Sequence, residues 1–195
     1  LVITAISFVA WWHAPAIVHM LAPGFYDVPG KAELTIQLTR IMIPFLLLVA
    51  LAAQAMGILN ARGRFGIPAL ASAFFNVGSI VGGLLLGFVV GPAIGLSTIE
   101  GMAYGTLIGG FLQFAVQWPS LARTGFSYRP MISINDPGVR QIFRLMGPAI
   151  IGTAAVQVNV FVNTNFASSI IDPATGAVAN GPVSWLSYAF RFMQF

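Results

Sequence analysis

Two arginines stand out chemically, because each lies inside a long apolar segment. Arg191 lies about eight residues beyond Val183, roughly 12 Å deep in a helix that starts there. An arginine at such depth costs about 2.5 to 3.5 kcal/mol on insertion scales, so it normally faces a watery cavity or a partner. We predict that Arg191 faces a cavity and binds an anion; an ion pair with another part of the protein is the alternative. Its planar donors suit phosphate, since they can bond two oxygens at once.

Arg40 lies about six residues into another apolar segment, roughly 9 Å from its start. Its long stem can reach the outer interface, so we expect its charge to snorkel there. Several amide and hydroxyl side chains also occur at membrane depth, within the segment that follows Pro148. They are Gln157, Asn159, Asn163, Thr164 and Asn165. Hydrogen bonds between helices are the first explanation for them, and lining of a cavity is the second.

The sequence has none of the motifs expected of an enzyme. It contains no Gly-rich phosphate loop, no HExxH and no Gly-x-Ser-x-Gly, and it has no cysteine. His13 and His19 are six residues apart, so they point to different sides of a helix and cannot pair as metal ligands. Every acid lies in a predicted loop or at a helix end, which leaves no paired carboxylates at membrane depth. We therefore expect no catalytic residue, no metal and no cofactor.

The composition excludes an ordinary soluble domain. Only 7% of the 195 residues are charged and 57% are hydrophobic, whereas soluble chains carry roughly a quarter charged residues. A bilayer is the solvent that tolerates this shortage. In a soluble protein the net charge of +4 would suggest nucleic acid. Here we attribute it to arginines in cytoplasmic loops and expect no nucleic-acid partner.

The apolar residues fall into runs long enough to cross the roughly 30 Å hydrocarbon core as helices. These runs are residues 1–22, 34–59, 67–90, 100–121, 148–171 and 183–195. We predict an all-α, polytopic transmembrane bundle with about five complete helices and one truncated helix. Because the chain starts and stops inside apolar runs, we expect it to be part of a longer membrane protein. Pro15 and Pro44 lie inside runs and predict kinks.

The positions of lysine and arginine predict the orientation in the membrane. One set of alternate loops contains Arg62, Arg64, Arg123, Arg129, Arg140 and Arg144, whereas the other contains Lys31 alone among bases. Because cytoplasmic loops are rich in lysine and arginine, the first set is placed inside.

The stretch 123–147 is predicted to be a cytoplasmic linker that divides the chain. Asp136 followed by Pro137 is typical of a helix start, and it predicts a short interfacial helix that ends where Gly147 and Pro148 turn the chain into the membrane. The domains are then 1–122 with four helices, the linker, and 148–195 with one complete and one truncated helix. Glycines four residues apart in the third and fourth runs predict that these two helices pack closely.

Five strings of this sequence resemble the MurJ/MviN family of lipid II flippases, in the MOP transporter superfamily. The most specific is Ile-Leu-Asn-Ala-Arg-Gly-Arg-Phe-Gly-Ile-Pro-Ala at residues 58–69, followed by Asn76. The others are Ala-Pro-Gly-Phe at 22–25, Gly-Pro-Ala-Ile at 147–150, Asn-Thr-Asn-Phe-Ala-Ser at 163–168, and Val-Ser-Trp at 183–185 with Tyr188 and Arg191. The resemblance spans essentially all 195 residues in the right order.

The resemblance implies helices three to seven and part of eight of a fourteen-helix, MATE/MOP-like protein. Such a protein has two six-helix lobes around a cationic cavity, lies in the bacterial inner (plasma) membrane, and moves lipid II from the inner to the outer leaflet by alternating access. The family's eighth-helix cavity arginine maps onto Arg191. Where the family usually has Asp before this arginine and Glu three residues after it, this sequence has Phe190 and Gln194.

Gln157, Ser184 and Tyr188 join Arg191 as candidate substrate-binding residues, because of their depth and their proximity in sequence. The implied partners are lipid II, an undecaprenyl-diphosphate-linked muropeptide, together with membrane lipids and the cell-wall synthesis machinery. The alternatives are a MOP exporter of another lipid-linked oligosaccharide or a drug, and a non-transporting membrane subunit of a cell-wall complex. An integral membrane transferase would need clustered intramembrane acids, and the sequence has none.

Overall fold

Helices make up the computed structural model, which describes residues 2–127 and 136–193. The α-helices are α1 (Val2–Trp12), α2 (Ala14–Leu21), α3 (Lys31–Ala61), α4 (Gly66–Leu84), α5 (Thr98–Ala115), α6 (Trp118–Ala122), α7 (Pro137–Ser168) and α8 (Pro182–Phe192). Single 3-10 turns cover Pro23–Asp27 and Pro92–Ile94, and a π-helical turn at Leu85–Val89 extends α4. Helix accounts for 80% of the chain without a strand in its described part, which confirms the all-α prediction.

Three of the described helices are long and apolar enough to cross a membrane. These are α3, α4 with its π-helical turn, and α7; α1 and α2 together count as a fourth if they form one broken span. The break falls at His13, two residues before Pro15, where the sequence predicts a kink. Two helices are not long or apolar enough to meet these criteria. The helix α5 contains the polar residues Glu100 and Gln113, and α8 has only 11 residues. A total of six membrane crossings therefore stays a prediction.

The helix α7 differs from the sequence prediction. Instead of an interfacial helix that ends in a turn at Gly147 and Pro148, a single helix of 32 residues runs from Pro137 to Ser168. Proline removes one backbone hydrogen bond and crowds the preceding turn, yet a helix can continue past it with a kink. The predicted start is confirmed: the Oδ1 of Asp136 accepts hydrogen bonds from the amides of Gly138 (2.8 Å) and Val139 (3.3 Å).

The chain forms two compact units. In the described residues, the first unit comprises 2–15 and 34–127, and the second comprises 16–33 and 136–193. The predicted boundaries at residues 122 and 147, and the placement of the linker at the membrane surface, stay predictions.

In the first unit, α4 and α5 pack with their backbones in contact along glycines. A Cβ atom added to Gly105 would lie 2.1 Å from the backbone nitrogen of Gly83, and one added to Gly101 would lie 2.3 Å from the carbonyl oxygen of Leu86. No side chain can occupy so short a gap, so glycine is required at these crossings. The predicted close packing of these two helices is confirmed.

A buried amide joins α3 to the end of α5. The side chain of Gln117 is 0% exposed, and its Nε2 donates to the carbonyl oxygens of Ala52 (3.2 Å) and Gln113 (2.9 Å). Leu59 is also completely buried in this unit. The two hydrogen bonds from Nε2 hold α3 against the end of α5, whereas Oε1 of Gln117 is buried without a partner in the described residues.

Candidate anion-binding site

The candidate site is built on α7 and α8, which lie in contact in the second unit. The helix α8 begins sharply because Pro182 occupies its first turn and Gly181 precedes it with φ 128°, a conformation that favours glycine. A Cβ atom at Gly181 would also lie 2.8 Å from the ring of Trp185. The sequence therefore fixes where α8 starts and, with it, the rotation of every residue that follows.

Three of the predicted site residues share one face of α8. Ser184, Tyr188 and Arg191 follow at intervals of four and three residues, which places them above one another on a helix. All three are exposed, Tyr188 to 61%. We call these three residues the α8 stripe. It gives a guanidinium and two hydroxyl groups to one surface of the second unit.

The opposite face of α8 is apolar and less exposed. Val183, Leu186 and Phe190 are half-buried, and they follow at intervals of three and four residues. The helix is therefore amphipathic, and this apolar face leaves the α8 stripe accessible. Ser187 lies outside the stripe, and its Oγ donates to the carbonyl oxygen of Val183 (2.9 Å).

Arg191 has no hydrogen-bond or ion-pair partner within residues 2–127 and 136–193. The position before it is Phe190, which offers no charge, and Gln194 lies outside the described residues. The guanidinium is exposed, so its donors are accessible to a ligand. A deep arginine can bind an anion or form an ion pair within the protein. The described part of the chain provides no such ion pair for Arg191.

Gln157 lies on an exposed face of α7. This face borders an open groove of about 700 Å³ that is lined by residues of α7 alone, among them Met146, Ile150, Thr153, Gln157 and Phe161. Gln157 and Thr153 are its polar members, and the Oγ1 of Thr153 is satisfied by the carbonyl oxygen of Ala149 (2.9 Å). On this face, the Gln157 amide is therefore the polar group without a hydrogen-bond partner in the described chain.

Gln157 and Arg191 lie at similar distances along their helices from the connection between α7 and α8. Gln157 lies eleven residues before the end of α7, roughly 16 Å along its axis, and Arg191 lies nine residues after Pro182, roughly 14 Å along α8. The structure therefore places Ser184, Tyr188 and Arg191 on one face of α8 and Gln157 on the neighbouring helix. No hydrogen bond joins Gln157 to the other three within the described residues.

The other amides of α7 are used within the protein. Asn163 donates to the side chain of Asn159, and the Nδ2 of Asn165 donates to the carbonyl oxygen of Met20 (2.9 Å). The second of these bonds joins α7 to α2, as the explanation by hydrogen bonds between helices predicts. Asn165 is consequently a structural residue, in contrast to Gln157.

Metal binding has no support in the described residues, which contain no group of three or more metal-ligating side chains. The ring of His19 packs edge-on against Tyr26, with centroids 5.1 Å apart. Thr153 is the polar residue of the α7 groove that the sequence did not predict. Its spacing of four residues before Gln157 is the signal that could have identified it.

The long apolar helices α3, α4 and α7 indicate an α-helical membrane protein. Comparison with known proteins then gives its family. The model of the family "Lipid II flippase MurJ" matches residues 1–195. The chain belongs to the MurJ lipid II flippase family.

Curated relatives match almost the whole chain. It is 33% identical to a probable lipid II flippase MurJ of Buchnera aphidicola from Acyrthosiphon pisum, over 92% of this chain and 33% of the relative. It is 30% identical to the lipid II flippase MurJ of Burkholderia cenocepacia, over 92% of this chain and 33% of the relative. A probable MurJ of Haemophilus influenzae is 28% identical over 99% of this chain and 37% of the relative. The chain thus spans about a third of the length of these relatives.

Proposed function

We propose that this chain forms part of a transporter that moves lipid II from the inner to the outer leaflet of the bacterial inner (plasma) membrane. The observation that carries the proposal is the α8 stripe, in which Arg191 is exposed and has no partner in the described chain. Membership of the MurJ family supports the choice of substrate. The function would be transport without covalent chemistry, in the service of peptidoglycan and cell-wall synthesis.

The chemistry of the stripe suits the diphosphate of lipid II. A guanidinium in a site of low dielectric attracts a diphosphate strongly, and its planar donors bond two oxygens at once. The hydroxyl groups of Ser184 and Tyr188 can donate to further oxygens, and the Gln157 amide lies on the neighbouring helix α7. The largely apolar groove of α7 suits the hydrocarbon part of the same lipid.

Transport would follow from alternating access. The two lobes of the complete protein would expose the stripe first to the inner leaflet and then to the outer leaflet. A transporter of another lipid-linked oligosaccharide or of a drug would use the same motion, and a cell-wall subunit without transport would not need the stripe.

Complementation tests the proposal. The native gene that encodes this sequence is expressed in a bacterium depleted of its own lipid II flippase, and growth and outer-leaflet lipid II are measured. Rescue is expected for the unchanged gene. With Arg191→Ala at equal membrane abundance, we expect loss of rescue and at least about a tenfold fall in exposed lipid II, since a charged hydrogen bond contributes about 1.5 to 3 kcal/mol.

Arg123→Ala is the matched control, because Arg123 is an exposed arginine outside the stripe. It is expected to rescue growth. Rescue by Arg191→Ala equal to that of the control would overturn the role of the stripe. Failure of the unchanged gene, despite its presence in the membrane, would overturn lipid II as the substrate.

A further inference from the structure

The second arginine of the apolar segments, Arg40, has an unusual environment in the first unit. Its guanidinium lies 5.2 Å from the centroid of the Trp11 ring. Its Nε atom is buried and has no hydrogen-bond partner, and no carboxylate pairs with it in the described residues. A buried donor without a partner costs about 1 to 3 kcal/mol, and more when it is charged. The environment of this cation is therefore incomplete in the chain as described.

The acid Glu100 contacts α3 one turn before Arg40, but its carboxylate is committed to other partners. Gln37 lies three residues before Arg40 on α3, and its amide donates to Oε1 of Glu100. The other oxygen of Glu100 accepts from the backbone nitrogen (2.8 Å) and the Oγ (2.6 Å) of Ser97, in the cap that starts α5. Glu100 therefore serves the start of α5 and leaves Arg40 without a counter-charge.

The depth of Arg40 fits a ligand at the membrane surface. Arg40 lies nine residues after Lys31, the first residue of α3, which is roughly 14 Å along the axis. The 31 residues of α3 extend roughly 46 Å, so a centred 30 Å core starts about 8 Å from each end. The Cα of Arg40 then lies about 6 Å inside the core, and the side chain is long enough to reach back to the level of lipid phosphates.

We propose that Arg40 and Trp11 form a binding site for the phosphate group of a membrane lipid, on the side of the membrane where α3 begins. The phosphate supplies the counter-charge that the described chain lacks, and its oxygens accept hydrogen bonds from the guanidinium. The Trp11 ring contributes a cation–π contact to the same guanidinium, 5.2 Å from its ring centroid. Trp11 is 43% exposed, so a lipid can approach its edge. This site lies in the first unit and is separate from the α8 stripe.

The test measures lipid retention, which requires no transport. The native gene product that carries this sequence is purified in detergent and titrated with dioctanoyl phosphatidylglycerol, and bound lipid is counted by native mass spectrometry. One tightly retained lipid is expected for the unchanged protein, with at least about tenfold weaker retention for Arg40→Gln. Arg123→Gln removes an exposed arginine and is expected to keep the tight site.

Two further ligands identify what is bound. Dioctanoylglycerol lacks the phosphate and is expected not to be retained; equal retention would show a site for acyl chains and overturn the proposal. Inorganic phosphate at the same concentration is expected not to displace the lipid, and displacement would overturn the lipid as the source of the phosphate.

The Arg40→Lys variant keeps the test decisive if Arg40→Gln does not fold. Lysine keeps the charge but lacks the planar pair of donors, so about threefold or greater weakening of retention is expected. Unchanged retention in Arg40→Gln, or in Arg40→Lys if Arg40→Gln does not fold, would overturn the proposal and point to a carboxylate elsewhere in the protein as the partner. None of these outcomes depends on lipid II transport.

Discussion

The Nζ atom of Lys31 donates to the Oδ1 atom of Asn180 across 2.8 Å, although 149 positions separate them in the sequence. The same ammonium lies 4.3 Å from the centroid of the Phe25 ring. Nearby in the second unit, a Cβ added to Gly24 would lie 2.0 Å from the carbonyl oxygen of Ser168. The connection between α2 and α3 is thus packed directly against the end of α7 and the loop after it.

We predict that this contact separates during the transport cycle. The 195 residues contain no cysteine, so Lys31→Cys with Asn180→Cys, in a gene whose other cysteines are replaced, introduces one defined pair. Linking the pair with a short, reducible thiol reagent is expected to stop lipid II translocation, and reduction is expected to restore it. Each single cysteine variant, treated with the same reagent, is the control and keeps transport. Full transport by the linked pair would show that the contact persists throughout the cycle.

The α4 and α5 pair depends on glycine at its crossings. Gly105→Ala would place a methyl group 2.1 Å from the Gly83 nitrogen, so the helices must separate. We expect a loss of about 1 to 3 kcal/mol in stability, measured as a lower thermal unfolding midpoint in detergent. Gly57→Ala is the matched control in α3, because no atom lies within 4 Å of the added Cβ. An equal midpoint for the two variants would contradict the close packing.

The α8 stripe can be tested with two serines of the same helix. Ser184 belongs to the stripe, whereas the Oγ of Ser187 donates to the carbonyl oxygen of Val183. Ser184→Ala is expected to lower the rate of lipid II translocation about two- to tenfold, as the loss of one neutral hydrogen bond predicts. Ser187→Ala is expected to leave that rate unchanged. Equal rates for both variants would remove Ser184 from the site.

The start of α7 depends on one side chain. Asp136→Ala removes the acceptor for the amides of Gly138 and Val139, which is expected to lower helix stability by about 1 kcal/mol. Faster hydrogen exchange at these amides is the readout. Asp136→Asn keeps an acceptor oxygen and is expected to exchange nearly as slowly as the original. Fast exchange in the asparagine variant as well would assign the effect to the lost charge.

Local chemistry made several features predictable from the sequence. Asp136 before Pro137 specified a helix start, and the glycines at intervals of four specified where two helices approach, because both signals act over one or two turns. The spacing of four and three residues likewise predicts that Ser184, Tyr188 and Arg191 lie on one face of a helix. The composition predicted a membrane protein, since a chain with so few charged residues cannot cover the surface of a soluble globular domain with polar groups.

Features that depend on distant residues could not be predicted in this way. The continuity of α7 through Gly147 and Pro148 is a balance between a lost backbone hydrogen bond and the packing of the whole helix, which local propensity does not describe. The contact of Arg40 with Trp11 joins α3 to α1. Neither segment contains a sequence pattern that predicts contact with the other. The bond from Lys31 to Asn180 is of the same kind.

The unbroken course of α7 has a mechanical consequence. Its 32 residues extend roughly 48 Å, which exceeds the roughly 30 Å hydrocarbon core. Arg140, near its beginning, and Asn165, near its end, therefore belong to one continuous helix that is long enough to reach from one membrane surface to the other. A movement of one end of α7 is therefore transmitted to its other end through helix alone, without an intervening loop. Pro148 is the one proline inside α7, and it is the position at which the helix can bend.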